Sequence, residues 1–468
     1  MGQEVQSFIR TYGYDGFHYG KRIAVLSDTT YLIMGNKSGT GGQNNVYLIH
    51  VDKKGQIIKD NVFGGSQLYY GTDMIVVGDT AIYVCGYVLR SFGYEYDNFV
   101  IRVNMNLELE FTYGYAYLGW DLTYGIVADR KGMKYIISQI PVVYSKPSVQ
   151  IQKYQEGLFL PENRFFGNDS LEHTPTAIVL SGDSILYISG YCETDSGFAK
   201  GFILKMDTMF NFIDTLYLFR DSSFVEILDI DTTHYGGITF TGKATGLNDN
   251  SRRFLYGITD QNLNLIYFEW GYHPNDWCNC IKTAPFSDYT VFAGYTSSAG
   301  SGGADFHYQL FDGSVASLSS TIGGLMYDEA FDCAFALDST IVLVGTSQSF
   351  GLTQTSIMFA KTCKNYYYCV PDHQHYLQIE EQAITNPNIL IYPVPASMFI
   401  NVSINEPLPV GNIAFELISM SGASVQCDYL NTQTQTYVVS IPKLPAGMYV
   451  LRLTKGFWSS SQKIIISQ

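Results

Sequence analysis

An apolar run closed by a small residue recurs through most of the chain at a nearly fixed period. It reads Tyr31–Gly35, Ile82–Gly86, Tyr135–Ser138, Leu186–Gly190, Ile238–Gly242, Val291–Gly294 and Ile341–Gly345, with end positions 51 or 52 residues apart. A second landmark keeps the same step: Gly13, Gly64, Gly114, Gly167, Gly271 and Gly323, each after an aromatic or apolar residue, with Arg220 in the fifth place. Between the landmarks lies a strand of period-two alternation, as in Val46–Asp52, Asn98–Asn104 and Gly201–Asp207. Each unit therefore holds four short strands joined by Gly/Asn/Asp/Ser turns. Four-stranded units of this length bury their faces only against copies of themselves, which is the signature of propeller blades. The spacing predicts an all-β, seven-bladed β-propeller. The last repeat ends near Lys361 without an outer strand, and Val5–Tyr12 matches one, so the N-terminal strand is expected to close blade seven.

Composition agrees: 15% aromatic residues and 44 Gly suit sheets and turns better than helices. The formal charge of −15 repels a phosphate backbone, and no Lys/Arg cluster offsets it locally, which argues against nucleic acid as a partner. No apolar run is long enough for a membrane-spanning helix. The first residues, Met1-Gly2-Gln3-Glu4-Val5, lack the charged and apolar regions of a signal peptide, so one needed for export would lie outside this numbering. Eight cysteines are too few and too scattered for a disulfide scaffold. Cys363 and Cys369 flank Lys-Asn-Tyr-Tyr-Tyr and are candidates for a small bridged loop, and no CxxC pair supports zinc.

From Asn388 the texture changes. Residues 371–387 read as a polar linker with Pro at both ends, separating a propeller over 1–370 from a tail over 388–468. The tail's alternating strands, at Met398–Ile404, Ile413–Ile418, Val438–Ile441, Met448–Leu453 and Lys463–Ile466, predict a small antiparallel β-sandwich. It carries Tyr392-Pro393-Val394-Pro395, then Gly422, then Leu444-Pro-Ala-Gly447-Met-Tyr449, then Lys463-Ile-Ile-Ile466. In that order these resemble the type A C-terminal sorting domain of the type IX secretion system of Bacteroidetes, with Val394 where the family has Asn. The repeats likewise resemble the roughly fifty-residue propeller repeats of Bacteroidetes surface proteins. The tail's resemblance implies a partner translocon and sortase, passage of a folded passenger across the outer membrane, and removal of the domain within the linker. The mature protein would then be anchored to lipopolysaccharide or released.

The repeat register also aligns polar residues. Counting back thirteen from each second-strand end gives Arg22, Asp73, Gly125, Ala177, Asp229, Ile281 and Asp332, which in a propeller form a ring about the axis. Arg22, Asp73, Asp229 and Asp332 are candidates for a polar ligand or a calcium ion, or else for capping strands and pairing with neighbours. No nucleophile elbow or P-loop occurs, and no other cofactor motif is found. Asp372-His373-Gln374-His375 places two imidazoles on one face of an extended segment. The hairpins between second and third strands, Ser91–Tyr96, Tyr191–Phe198 and Asn248–Arg253, are aromatic or polar and predict a binding face for glycan or protein. First hairpins carry Asp28-Thr29-Thr30, Asp79-Thr80-Ala81, Asp183-Ser184-Ile185, Asp231-Thr232-Thr233 and Asp338-Ser339-Thr340. Turn chemistry accounts for them, and they also resemble the Bacteroidetes O-glycosylation triplet, which would modify Thr29, Thr80, Ser184, Thr232 and Ser339. The reading is an exported binding or adhesion propeller at the cell surface or outside it. Its alternatives are an enzyme acting on extracellular polysaccharide through the channel, or a structural part of the surface or secretion apparatus.

Overall fold

The computed structural model describes residues 7–362 and 389–467, loop segments within each aside, together with the strand Asp372–Tyr376. Two compact units divide at 377/378, within the segment expected as a linker.

Residues 8–361 form the seven sheets of a β-propeller, the first six built in chain order from the axis outward. The innermost strands are Phe17–Val25, Leu68–Val77, Leu122–Ala128, His173–Ser181, Val225–Thr232, Trp277–Thr283 and Asp328–Phe335. Second strands such as Tyr31–Ser38 and Ala81–Leu89 are buried along most of their length. Both of their faces meet neighbouring sheets, which is why they read as unbroken apolar runs rather than alternations. Fourth strands such as Ile57–Phe63 lie at the rim and are mostly exposed. Apolar clusters form between successive blades; one joins Leu32, Met34 and Leu48 of blade one to Ile82, Val84 and Phe99 of blade two.

The turns between third and fourth strands are set by one device. Asp52 Oδ1 accepts the N–H groups of Lys54 and Gln56, and Asn104, Asp207 and Asp260 do the same two and four residues on. A side-chain carbonyl or carboxylate here replaces backbone acceptors that a tight turn cannot supply. Leu107, Phe210 and Leu263 take positive φ in these turns (55°, 65° and 60°), and each is buried. Burial of the large side chain offsets a strain that Gly55 avoids at the same place in blade one.

Blade seven is completed by Phe8–Tyr12, which pairs antiparallel with Ser356–Lys361, Phe8 opposite Lys361 and Tyr12 opposite Ile357. The first and last parts of the propeller thus share one sheet. The expected linker is partly ordered into that sheet: Asp372–Tyr376 pairs parallel with Phe8–Tyr12 as a fifth strand. A Pro-flanked polar composition gave no sign of it. The unpaired main-chain groups of an outermost strand can recruit any extended segment that reaches them.

The second unit contains two antiparallel sheets. Ile389–Tyr392, Phe399–Ile404 and Thr436–Ser440 form one; Ser424–Leu430, Ile413–Ser419, Gly447–Lys455 and Trp458–Ile466 form the other. Ile400, Val402 and Val439 of the first sheet and Phe415, Leu417, Leu451 and Ile464 of the second share one core, a β-sandwich. Ile389–Tyr392 and Ser424–Leu430 are strands that the alternation did not reveal. Among the described residues no helix is long and apolar enough to cross a membrane.

Candidate functional site

In every blade the pairing of first and second strands slips by one residue at the same level. The bulged residues are Lys21, Thr72, Tyr124, Thr176, Leu228, Asn279 and Phe331. A bulge sets two successive residues against one partner and turns both toward the side the strand would otherwise alternate away from. It also explains the small residue that marks the repeat. The inner strand's carbonyl is pressed onto the second strand, so a Cβ at Gly86 would stand 2.0 Å from Tyr70 O, and one at Gly242 2.0 Å from Glu226 O. Blade three has Ser138 instead, and its hydroxyl shares a hydrogen bond with Thr123 Oγ1 at 3.1 Å.

The residue after each bulge forms the ring anticipated from spacing, with one correction. The first hairpin of blade six is one residue longer, so its ring position is Cys280 and not Ile281. Asp73 Oδ1 accepts Arg22 Nε at 2.7 Å, and its Oδ2 accepts Ile126 N of blade three at 2.9 Å. Asp229 Oδ1 takes Ile230 N of its own strand and Oδ2 takes Ile281 N of blade six, at 2.9 and 2.8 Å. Asp332 does likewise with Cys333 N and Ile23 N. Asp231 adds a second latch to blade six through Thr283 N at 2.8 Å. Each carboxylate is fastened to the following blade.

Arg22 and Lys282 stand among the carboxylates of Asp73, Asp229, Asp231 and Asp332. Burial disfavours the Arg22 cation, but the Asp73, Asp332 and Asp229 carboxylates outweigh it and hold Arg22 firmly protonated. Lys282 is likewise raised against burial by Asp231, Asp229 and Asp332. Burial pushes Asp229 up to about 6, opposed by Lys282, Arg22 and the Ile281 N–H. Each of the three ring carboxylates thus accepts a hydrogen bond on both oxygens, which fixes its orientation between two blades or within its own strand. Among the described residues no group of three His, Cys, Asp or Glu side chains could hold a metal ion.

The bulges themselves build a site. All seven bulged residues line one cavity of about 740 Å³, which also takes in Tyr19, Tyr70, Tyr87, Asn36 and Asn44. A smaller cavity of about 400 Å³ is lined by Asp73, Asp229, Asp231, Lys282 and Asp332, and Arg22 borders both. The larger volume is that of a small-ligand pocket. From it an aromatic series runs outward: Tyr70 stacks on Tyr87 (centroids 5.2 Å, 28°), Tyr96 meets Tyr87 edge-on at 5.3 Å, and Trp120 meets Tyr96 edge-on at 5.7 Å. Trp120 is 60% exposed. Spacing arguments missed the bulged residues because alternation permits only every second side chain to face the axis. One step back in the same register would have found six of them, and two steps back Asn279 of blade six.

The remaining candidates are placed as follows. Thr29, Thr80, Ser184 and Ser339 are exposed in first hairpins, whereas Thr232 ends an inner strand, half-buried against the smaller cavity. Asp28 and Asp338 bond the residue two on, Thr30 and Thr340, as turn chemistry requires. Asp79, Cys363, Cys369, Pro393, Gly422 and much of the three aromatic hairpins lie outside the described residues, as do the His373 and His375 side chains. In the tail, Tyr392 ends a strand, Pro395 follows it, and Gly447 begins another. Tyr449 is buried and donates to Pro445 O at 2.9 Å, and Lys463 is exposed opposite Val450.

Residues 390–467 match the family described as secretion system C-terminal sorting domain. The tail is a sorting domain. It makes the protein a substrate of type IX export, to the cell surface or the extracellular space. No curated protein matches the chain. The solved structures it resembles include the BP39L lectin from Burkholderia pseudomallei, 7% identical over 79% of this chain and 99% of that one, with TM-score 0.46. A Trypanosoma rangeli sialidase is 8% identical over 99% and 88%, with TM-score 0.39. The Hadza microbial sialidase Hz136 is 10% identical over 68% and 73%, with TM-score 0.41. The seven sheets of the first unit carry the site to be interpreted.

Proposed function

We propose that the protein is an exported glycan-binding propeller that takes a sugar chain into the bulge-lined cavity. The observation that carries this reading is the aromatic series Tyr70, Tyr87, Tyr96 and Trp120, leading from the cavity to an exposed indole. Sugar rings present C–H faces that pack on aromatic rings, and their hydroxyls suit phenol and amide partners. Rigid aromatics supply that contact at low entropic cost. Binding is favoured over hydrolysis because Asp73, Asp229 and Asp332 are engaged in holding blades together. After export the sorting domain is removed and the propeller is anchored or released, with the exposed hairpin hydroxyls of Thr29, Thr80, Ser184 and Ser339 open to glycosylation. The test is a glycan array probed with the full chain, followed by calorimetry. Saturable binding weakened at least tenfold by Trp120→Ala and by Tyr70→Ala is expected. Silence across the array would remove the reading, and sugar products accumulating with time would replace it with catalysis.

A further inference from the structure

Lys21 is the one bulged residue that carries a charge. Its Nζ lies 3.9 Å from the centroid of the Phe331 ring, across the junction of blades one and seven. Among the described residues it has no hydrogen bond or ion pair. The acids around it are committed elsewhere. Glu329 Oε1 accepts Trp277 Nε1 at 3.1 Å and Asn279 Nδ2 at 2.9 Å, and its Oε2 accepts the Tyr327 hydroxyl. Asp332 and Asp73 each accept on both oxygens as described, and the neighbouring guanidinium, Arg22, is spent on Asp73. The phenols of Tyr19, Tyr70, Tyr87 and Tyr124 also line the cavity and have no hydrogen-bond partner among the described residues. The cavity therefore holds one cation without a contacting anion, beside four donors without acceptors.

An ammonium taken from water is costly unless something opposite in charge meets it. An aromatic face compensates in part. We infer that the cavity takes an anionic sugar unit, its carboxylate or sulfate against the Lys21 ammonium and its ring along the tyrosine wall, an inference that rests on the glycan-binding reading above. The net charge of −15 works against a polyanion at long range, so recognition is of a single unit inside the cavity rather than of an extended charged chain.

Titration supplies a signature. Burial lowers Lys21 to about 8, with Glu329 of blade seven opposing and Arg22 of its own strand adding to the fall. The other titratable groups that line the cavity are the phenols of Tyr19, Tyr70, Tyr87 and Tyr124. A bound anion stabilises the charged form, and above the lysine's own value that form must be made at the expense of binding. Affinity for the anionic unit falls as pH rises from 7 to 9, while affinity for a neutral sugar does not.

The experiment uses the full chain and three probes: oligogalacturonate, a sulfated galactan oligosaccharide, and a neutral galactan oligosaccharide of equal length. At pH 7 at least one anionic probe should bind tenfold or more tightly than the neutral one. Which of the two does so identifies the anion. Lys21→Gln should erase that preference, Lys21→Arg should retain most of it, and thermal melting of both variants checks the fold. A neutral probe bound as well as the anionic ones, or a preference untouched by Lys21→Gln, would overturn the inference and leave glycan binding standing. No binding of any probe, with silence on the wider array, would overturn both.

Discussion

Asp332 Oδ2 accepts the main-chain N–H of Ile23 at 2.9 Å, joining residues 309 positions apart in the chain. It is one of the contacts by which the last blade grips the first, beside that of His18 N with Thr355 Oγ1. The same contact recurs where Asp73 meets Ile126 and where Asp229 meets Ile281. At other junctions the bulged residue does the work: Thr176 Oγ1 donates to Ile227 O at 2.7 Å and Asn279 Nδ2 to Ala330 O at 2.8 Å.

Removing the Asp332 acceptor should loosen the closure. Asp332→Ala strands the N–H groups of Ile23 and Cys333, and a buried donor left unmet costs about 1–3 kcal/mol. Asp332→Asn, with one acceptor left, should cost about half as much. Urea denaturation measures both, and an alanine variant as stable as the parent would show that the clasp contributes nothing.

Asp229 should give stability an acid-side dependence. Its folded value of about 6 lies above the usual 3.8, so the native state holds the proton more tightly than the unfolded chain. The stability this supplies is complete below about pH 4 and is lost as pH rises through about 6, a change of up to about 3 kcal/mol. The parent should therefore compare more favourably with Asp229→Asn at pH 4.5 than at pH 7.5. The reverse order in denaturation curves would contradict the burial argument.

Gly242→Ala should destabilise, although alanine normally improves a strand. Its Cβ would meet Glu226 O at 2.0 Å, and main chain cannot step aside, so a cost of about 1–3 kcal/mol is expected. Gly114→Ala is the control, with nothing nearer than Asn98 O at 3.7 Å. Equal melting temperatures for the two variants would refute the close-approach account.

Deleting residues 388–468 should separate folding from export. The propeller's closing pairs all lie between Phe8 and Lys361, so the truncated chain should melt cooperatively. In a host with a type IX system it should remain in the periplasm, whereas the full chain reaches the surface or medium. Cell fractionation decides, and efficient secretion of the truncated protein would rule out the tail as its address.

The propeller was legible because its repeat is long and its punctuation is physical. The Gly that closes the apolar run of each second strand is forced by a carbonyl pressed against it, so it recurs at each landmark but Ser138. The ring was legible as a set of positions but not as chemistry. Nothing in the spacing of Asp73, Asp229 and Asp332 reveals that one oxygen of each finds an N–H on the next blade. The bulged residues were hidden altogether, because a bulge is a decision of the main chain and Lys21, Tyr124 and Phe331 share no side-chain property. Asp372–Tyr376 escaped notice since its place depends on the strand it joins rather than on its own composition.

That fifth strand has a mechanical consequence. Tension drawn along the chain from the sorting domain reaches Tyr376 first, and must part its five residue pairs with Phe8–Tyr12 before it is felt at Lys361. The added strand is in effect a fuse: paired on one side alone, at the rim of blade seven, it is the piece that can part while the four strands within stay joined.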